Sequence, residues 1–254
     1  MTEDDIALAE RLADAAGAAI RPFFRARFER ETKADRSPVT EADRASESAM
    51  RAILAAERPG DGIIGEEYGR EREDVHRVWV LDPIDGTRAF IAGRPLFGTL
   101  IALMEDGVPV LGVIDQPIIG DRWVGAAGRA TLFNGVPTHV RKCPALSDAH
   151  LGTTSPAAFP ADDLTKFQRI GAAARDTLWG GDCHNYGLVA SGHLDAVIES
   201  GLKIYDFAAL IPVVEGAGGK MTDWQGHPLD VESPGQVIAA GDPALIDQIV
   251  ALLS

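Results

Sequence analysis

The stretch Val78-Trp79-Val80-Leu81-Asp82-Pro83-Ile84-Asp85-Gly86-Thr87 decides the reading of this chain. Apolar residues of strand character run directly into Asp82. Proline cannot donate a ladder hydrogen bond, so the strand is expected to stop at Pro83. Asp85 follows within three residues, and Gly86-Thr87 opens a short helix or turn whose free N–H groups suit a phosphate. Two carboxylates at one strand end repel each other unless a cation sits between them. Hard oxygen donors of this kind suit Mg²⁺. Asp is also an ordinary turn former, so the segment alone leaves both readings open.

Working outward, the same grammar recurs. Ile63-Ile64 reads as a short strand that runs into Gly65-Glu66-Glu67, although Glu-Glu pairs are usually solvated surface. Upstream, Thr40-Glu41-Ala42-Asp43 fits a capping box at the start of a helix that runs to about Glu57 and stops at Pro59-Gly60. Residues 3–28 read as an amphipathic helix capped by Thr2, with Ile6, Ala9, Leu12, Ala16, Ile20 and Phe24 at spacings of three and four. Between the two helices, residues 29–39 form a charged loop ending in Ser37-Pro38.

Downstream, Thr99–Met104, Val108–Ile114, Arg122–Val124 and Ala130–Phe133 read as strands. Asp106-Gly107, Ile119-Gly120 and Asn134-Gly135 mark turns, and the short connections predict an antiparallel meander. After Ala145, strand-like pieces at 150–153, 177–179, 196–198, 220–222 and 237–239 alternate with helix-like pieces at 163–174, 183–190, 206–217 and 244–253. That alternation predicts an α/β half with a mixed sheet. The expected fold is therefore α/β (α+β): an antiparallel sheet in an N-terminal half, residues 1–142, and a mixed sheet in a C-terminal half, residues 143–254. No linker, repeat or low-complexity tract separates them, so they are expected to act as one unit.

Composition narrows the function classes. The chain has 254 residues, 46% of them apolar, enough for a substantial core. Its net charge of −14 argues against a nucleic-acid partner, which would want a basic face. A bare anionic substrate would be repelled too, unless bound cations reverse the local field. Cys143 and Cys183 belong to no paired motif and read as free thiols. No apolar run is long enough to span a bilayer, and Met1-Thr2-Glu3-Asp4-Asp5 does not start a signal peptide. A cytoplasmic location is expected.

Taken in order, Gly65-Glu66-Glu67, Trp79 through Thr87, and Tyr205-Asp206-Phe207-Ala208-Ala209 followed by Gly218-Gly219 resemble the motifs of the inositol monophosphatase superfamily of metal-dependent phosphatases. The resemblance covers nearly the whole chain. Its one departure is Tyr205, where the family usually has Trp, and this residue only precedes the acid. The resemblance implies a layered αβαβα sandwich of the sugar-phosphatase type, a homodimer, and two or three Mg²⁺ per site. It assigns Glu66, Asp82 and the Ile84 carbonyl to one ion, and Asp82, Asp85 and Asp206 to a second. A third, looser ion is expected near Glu66. Thr87, paired with Asp43, would orient and activate the attacking water, with Glu66 also in the catalytic set and Lys33 helping to close the site. Gly86, Thr87, Asp85 and Asp206 would also meet the substrate. Such ions neutralise the phosphate, bind the leaving oxygen and lower the pKa of water, so that water attacks in line. Inhibition by Li⁺ is a further family expectation.

The run Arg88–Leu103, Asp115-Gln116-Pro117 and Gly181-Asp182-Cys183-His184-Asn185-Tyr186 are similar to the histidinol-phosphatase branch. Its substrate, histidinol phosphate, carries an amine and an imidazole, which an acidic pocket suits. Glu199 stands where the family places a substrate-binding acid, and Asp182 and Asn185 are further candidates. Each has a plain alternative: a rim ion pair for Glu199 and a helix cap for Asn185. Arg88 reads as a substrate contact or a solvated side chain, and Thr153-Thr154-Ser155 as pocket wall or loop. His184 and His193 read as near the pocket or on a helix surface, and His139, His150 and His227 lack ligand spacing for Zn²⁺. The rival readings are an inositol monophosphatase, a phosphoadenosine-nucleotide phosphatase, and a non-catalytic protein on this fold.

Overall fold

The computed structural model describes the backbone of residues 1–26, 30–32 and 38–253 and the side chains of residues 1–26 and 41–253. Lys33 and the Thr40 side chain lie outside the described residues. The N-terminal elements are α1 (Glu3–Ile20), β1 (Arg30–Thr32), β2 (Pro38–Thr40), α2 (Glu41–Glu57), β3 (Gly62–Gly65), β4 (Gly69–Glu71), β5 (Arg77–Asp85) and α3 (Thr87–Ile91). A meander follows: β6 (Gly98–Glu105), β7 (Val108–Gln116), β8 (Asp121–Ala126), β9 (Leu132–Phe133) and β10 (Val136–Pro137). The remainder is β11 (His150–Thr153), α4 (Ala161–Ala173), β12 (Asp176–Trp179), α5 (His184–Ala190), β13 (Ala196–Glu199), α6 (Ile204–Phe207), α7 (Leu210–Gly216), β14 (Lys220–Thr222), β15 (Val237–Ala240) and α8 (Ala244–Leu253).

The strands form an eight-stranded sheet, β10-β9-β8-β7-β6-β5-β3-β4, a five-stranded sheet, β12-β11-β13-β15-β14, and the β1–β2 pair. The larger sheet is antiparallel except for β3 against β5, and the smaller is mixed. Alternation along the strands sends side chains to opposite faces. Trp79, Leu81, Ile101 and Leu103 pack under α1 and α2 with Leu8, Leu12 and Met50. Val78, Val80, Leu100 and Ala102 face the other way, onto α5, α6, α7 and the inner face of the smaller sheet. The outer face of that sheet, Leu151, Ile198 and Ile238, is covered by α4 and α8. The layers run αβαβα, the sandwich the family resemblance implies.

Several elements differ from the sequence reading. The segment expected as a charged loop over 29–39 contains β1, whose backbone pairs antiparallel with β2, Arg30 opposite Thr40 and Thr32 opposite Pro38. α1 ends at Ile20 rather than near residue 28, because Pro22 has no N–H with which to continue the ladder. Phe24 nonetheless packs its ring on Phe90 and Phe97, at centroid distances of 5.8 and 5.6 Å. The helix expected over 206–217 is two helices, α6 and α7, broken at Ala208–Ala209; Pro212 falls in the first turn of α7, where its missing N–H is tolerated. β5 does not stop at Pro83. Asp82 pairs with Leu100 and Asp85 with Gly98, so one extra residue bulges from the strand. A bulge accommodates proline, and the Thr99 hydroxyl donates to the Pro83 carbonyl at 2.8 Å. The bulge delivers Asp82 and Asp85 to the same end of β5.

Candidate active site

Two groups of carboxylates adjoin at the C-terminal ends of the parallel pair β3 and β5. In each group the three oxygens lie within 4.8 Å of one another: Asp43 with Glu66 and Glu67, and Asp82 with Asp85 and Asp206. Each residue arrives from a different structural cause. Glu66 leaves β3 with its N–H bonded to the Leu81 carbonyl at 3.1 Å. Asp82 and Asp85 flank the bulge. Asp206 sits at the third position of α6, where its Oδ2 accepts the Lys203 N–H at 2.6 Å; it caps its helix and joins the cluster together. Asp43 lies in the first turn of α2 and is buried.

Without a counter-charge this arrangement is electrostatically unfavourable. Burial, then Glu66, Asp85, Asp206 and Asp43, push Asp82 well above the usual carboxylate range. Burial, with Asp206 and Glu199, raises Asp85 to about 8 against the opposing Cys183 hydrogen bond, whose N–H lies 2.6 Å from Asp85 Oδ2. Burial raises Asp206 to about 7, with Glu66 and Glu199 adding to the shift and the Lys203 N–H opposing it. Asp82 Oδ1 is buried with no hydrogen-bond partner among the described residues. An all-oxygen set with an unpartnered buried donor atom and strong mutual repulsion fits a hard divalent cation.

The cluster opens into a cavity of about 480 Å³ lined by Glu66, Asp85, Gly86, Thr87, Asp182, Glu199 and Asp206. Arg88, Arg94, Thr154, Ser155 and Phe159 complete much of the wall. Gly86 has a φ of +90°, and a Cβ on it would lie 2.9 Å from the Asp182 carboxyl carbon. Asp182 is itself left-handed, at φ +45°. Aspartate tolerates that conformation better than most residues, as Asp106 does in its turn, and here it directs the Asp182 carboxyl to the cavity wall. Burial, then Asp85 and Glu199, raise the Asp182 carboxyl to about 8, with Arg88 opposing. The Thr87 hydroxyl donates to the Ile84 carbonyl at 3.1 Å.

Glu199 is held at both oxygens: Oε1 accepts the Thr154 N–H at 2.9 Å and the Thr154 hydroxyl, and Oε2 accepts the Tyr186 hydroxyl at 2.9 Å. Asn185 does not line the cavity. Its side-chain amide donates to the Gly180 carbonyl at 3.0 Å and packs under Gly181, which shapes the loop that carries Asp182. Thr154 and Ser155 face the cavity, whereas Thr153 is buried away from it. His184 and His193 are not among its lining residues; His184 meets Asp121 at 3.4 Å and the edge of Trp123. The sequence singles out the runs that carry Tyr186 and Thr154 but not their hold on Glu199, because that contact joins segments 13 and 45 residues apart in the chain.

Carboxylates gathered at the strand ends of a layered αβαβα sandwich, beside a cavity of small-metabolite size, make a divalent-cation site, the arrangement expected of the metal-dependent phosphatases whose motifs the sequence resembles. The Inositol monophosphatase family model matches residues 1–254, and the chain belongs to that family. The bifunctional phosphatase IMPL2 of Arabidopsis thaliana chloroplasts is 48% identical, over 97% of this chain and 74% of that protein. The histidinol-phosphatase of Mycobacterium tuberculosis is 40% identical, over 89% of this chain and 90% of that protein. An inositol monophosphatase structure from Zymomonas mobilis superposes with a TM-score of 0.92 at 60% identity, covering 99% of this chain and 98% of that one. Among the described residues no helix is long and apolar enough to cross a membrane.

Proposed function

We propose that this phosphatase is a Mg²⁺-dependent histidinol-phosphatase, converting L-histidinol phosphate and water to L-histidinol and phosphate in histidine biosynthesis. The observation that carries the choice is the acid wall formed by Asp182 and Glu199. These acids stand outside the Asp82–Asp85–Asp206 group, on the same cavity; burial keeps the proton on Asp182 until a positive charge is seated beside it, and the cationic end of an amino-alcohol phosphate supplies that charge. The histidinol-phosphatase among the relatives supports the same branch.

Glu66, Asp82, Asp85, Asp206 and the Ile84 carbonyl would hold the cations. When bound, Mg²⁺ supplies charge neutralisation of the phosphate and acidification of water. Thr87 and Asp43 would orient that water. Gly86 and Thr87 offer backbone and hydroxyl groups at the phosphate end of the cavity. Tyr186 and Thr154 leave Glu199 little rotational freedom, so it accepts a donor from the substrate in a fixed direction.

The test is phosphate release from L-histidinol phosphate and from inositol 1-phosphate in parallel, each with Mg²⁺ and with EDTA. Release from histidinol phosphate alone, lost in EDTA, is expected. A preference for inositol 1-phosphate favours the second reading, an inositol monophosphatase, which the 60% identity to the Zymomonas mobilis structure supports.

A further inference from the structure

One fully buried carboxylate near the site belongs to neither acidic group. α2 carries Asp43, Glu47 and Arg51 at intervals of four, which places them on one face. Asp43 reaches the carboxylate cluster. Glu47, one turn on, has no exposure to solvent. Its Oε2 accepts the Glu67 N–H at 2.7 Å, and its Oε1 accepts the Tyr68 N–H at 3.2 Å and the Arg51 Nε at 2.7 Å. Arg51 in turn donates through Nη2 to the Gly69 carbonyl at 2.5 Å. The segment from Gly65 to Gly69, which carries Glu66 and Glu67, is thus tied to α2 through both of its backbone polarities.

The approach is close enough to dictate a residue type. A Cβ on Gly65 would lie 1.9 Å from Glu47 Oε1, so β3 can end against that carboxylate only as glycine. Burying a carboxylate is costly, and a turn that needed only to be closed could use uncharged backbone bonds. A charged acceptor with its own guanidinium gives shorter and more directional bonds. Outer partners of this kind set the aim of ligating groups and their affinity for a metal.

We infer that Glu47, locked by Arg51, is a positioning residue that fixes the turn after β3 and with it the aim of Glu66 toward the bound cation. The inference rests on the reading of Glu66 as a metal ligand. The α2 face Asp43–Glu47–Arg51 then acts as one rigid ruler: its first residue enters the cluster and its next two hold the turn opposite.

The experiment uses full-length protein stripped of metal. Glu47→Gln keeps the shape but leaves one of the two backbone N–H groups without an acceptor. Arg51→Lys, at a partly exposed position, keeps the charge and loses the fork, and serves if Glu47→Gln does not fold. Leu54→Ala on the same helix, distant in role from the turn, is the control for simple destabilisation. Two quantities are read: Mg²⁺ affinity by calorimetry, and amide exchange over residues 65–69 in EDTA. We expect Mg²⁺ affinity to fall about 10- to 100-fold in Glu47→Gln, with faster exchange at residues 67 and 68. Leu54→Ala should melt earlier and bind Mg²⁺ as the wild type does. Wild-type affinity in Glu47→Gln, or equal loss in Leu54→Ala, overturns the inference. A folded wild-type protein that binds no Mg²⁺ overturns the ligand reading and this inference with it. The exchange arm, which needs no metal, then tells whether the brace exists at all.

Discussion

The metal-free protein should lose stability as pH rises from 5 to 7, against the usual trend for a protein whose carboxylates are paired. In an unfolded chain Asp85 ionises near 3.8, whereas in the folded site it rises to about 8. Between those values the folded state holds a proton that the unfolded state has released. Stability changes with pH according to the protons bound by the unfolded state minus those bound by the folded state, and that difference is negative here. The stabilisation is therefore complete below the unfolded value and drains as pH climbs toward the folded one. One retained proton is worth about 1.4 kcal/mol per pH unit, so two units cost about 3 kcal/mol from this group alone. Asp206, raised to about 7, and Asp182, raised to about 8, act in the same direction. For a chain of this length 3 kcal/mol corresponds to a fall in melting temperature of roughly 10 °C. The assay is a set of thermal melts in EDTA at pH 5, 6 and 7, repeated with saturating Mg²⁺. The cation should remove most of the slope, since it binds the ionised form and binds it more tightly as pH rises. Asp85→Asn should remove its share of the slope without metal. A melting temperature that is flat or rises between pH 5 and 7 in EDTA would refute the electrostatic account of the cluster.

Further outcomes follow from individual residues. Asp85→Asn should abolish turnover while its melting curve in EDTA stays cooperative; retained activity would remove Asp85 from the catalytic cluster. Asp182→Ala should raise KM for histidinol phosphate about tenfold or more, the loss of a charged hydrogen bond of about 1.5–3 kcal/mol. Turnover of p-nitrophenyl phosphate, which has no cationic end, should change little, and equal losses on both esters would exclude a selective role for Asp182. Asp195 has no solvent exposure and accepts from Arg141 Nε and the His150 N–H, both at 2.7 Å. Asp195→Ala should lower the melting temperature by several degrees, through a cost of about 2–3 kcal/mol, and leave kcat at 25 °C unchanged.

The fold was legible wherever one residue decides one geometry. Asp106-Gly107 and Asn134-Gly135 turn with both residues at positive φ, as two-residue hairpins require. The strands at 150–153 and 220–222 begin and end where alternation and flanking turn residues place them. Thr2 closes a capping box with Asp5. Failures occurred where a local rule met a tertiary one. Proline at 83 forbids a ladder bond but not a bulge, and the buried Thr99 hydroxyl facing its carbonyl decides between them. The parallel pairing of β3 with β5 had no local sign, because the intervening β4 crosses back to the other side of β3.

The carboxylates of the site were legible because their chemistry is costly. A cluster of acids at strand ends has few structural excuses, and each excuse must be repeated at every member. Asp206 shows that capping a helix and joining the cluster need not compete, since one oxygen caps α6 while the residue stands among Asp82 and Asp85. The supporting residues were hidden for the converse reason. Glu47 and Arg51 carry, in sequence, only the signature of an ordinary ion pair one helical turn apart, a motif that normally lies in water and contributes a few tenths of a kcal/mol. What separates this pair from the common one is that Gly65 admits the carboxylate and the turn after β3 folds over it. Neither condition is a property of α2. A residue that acts through the backbone of another segment leaves its trace in that segment, and here the trace is the missing side chain at position 65, read beside an acid eighteen residues earlier.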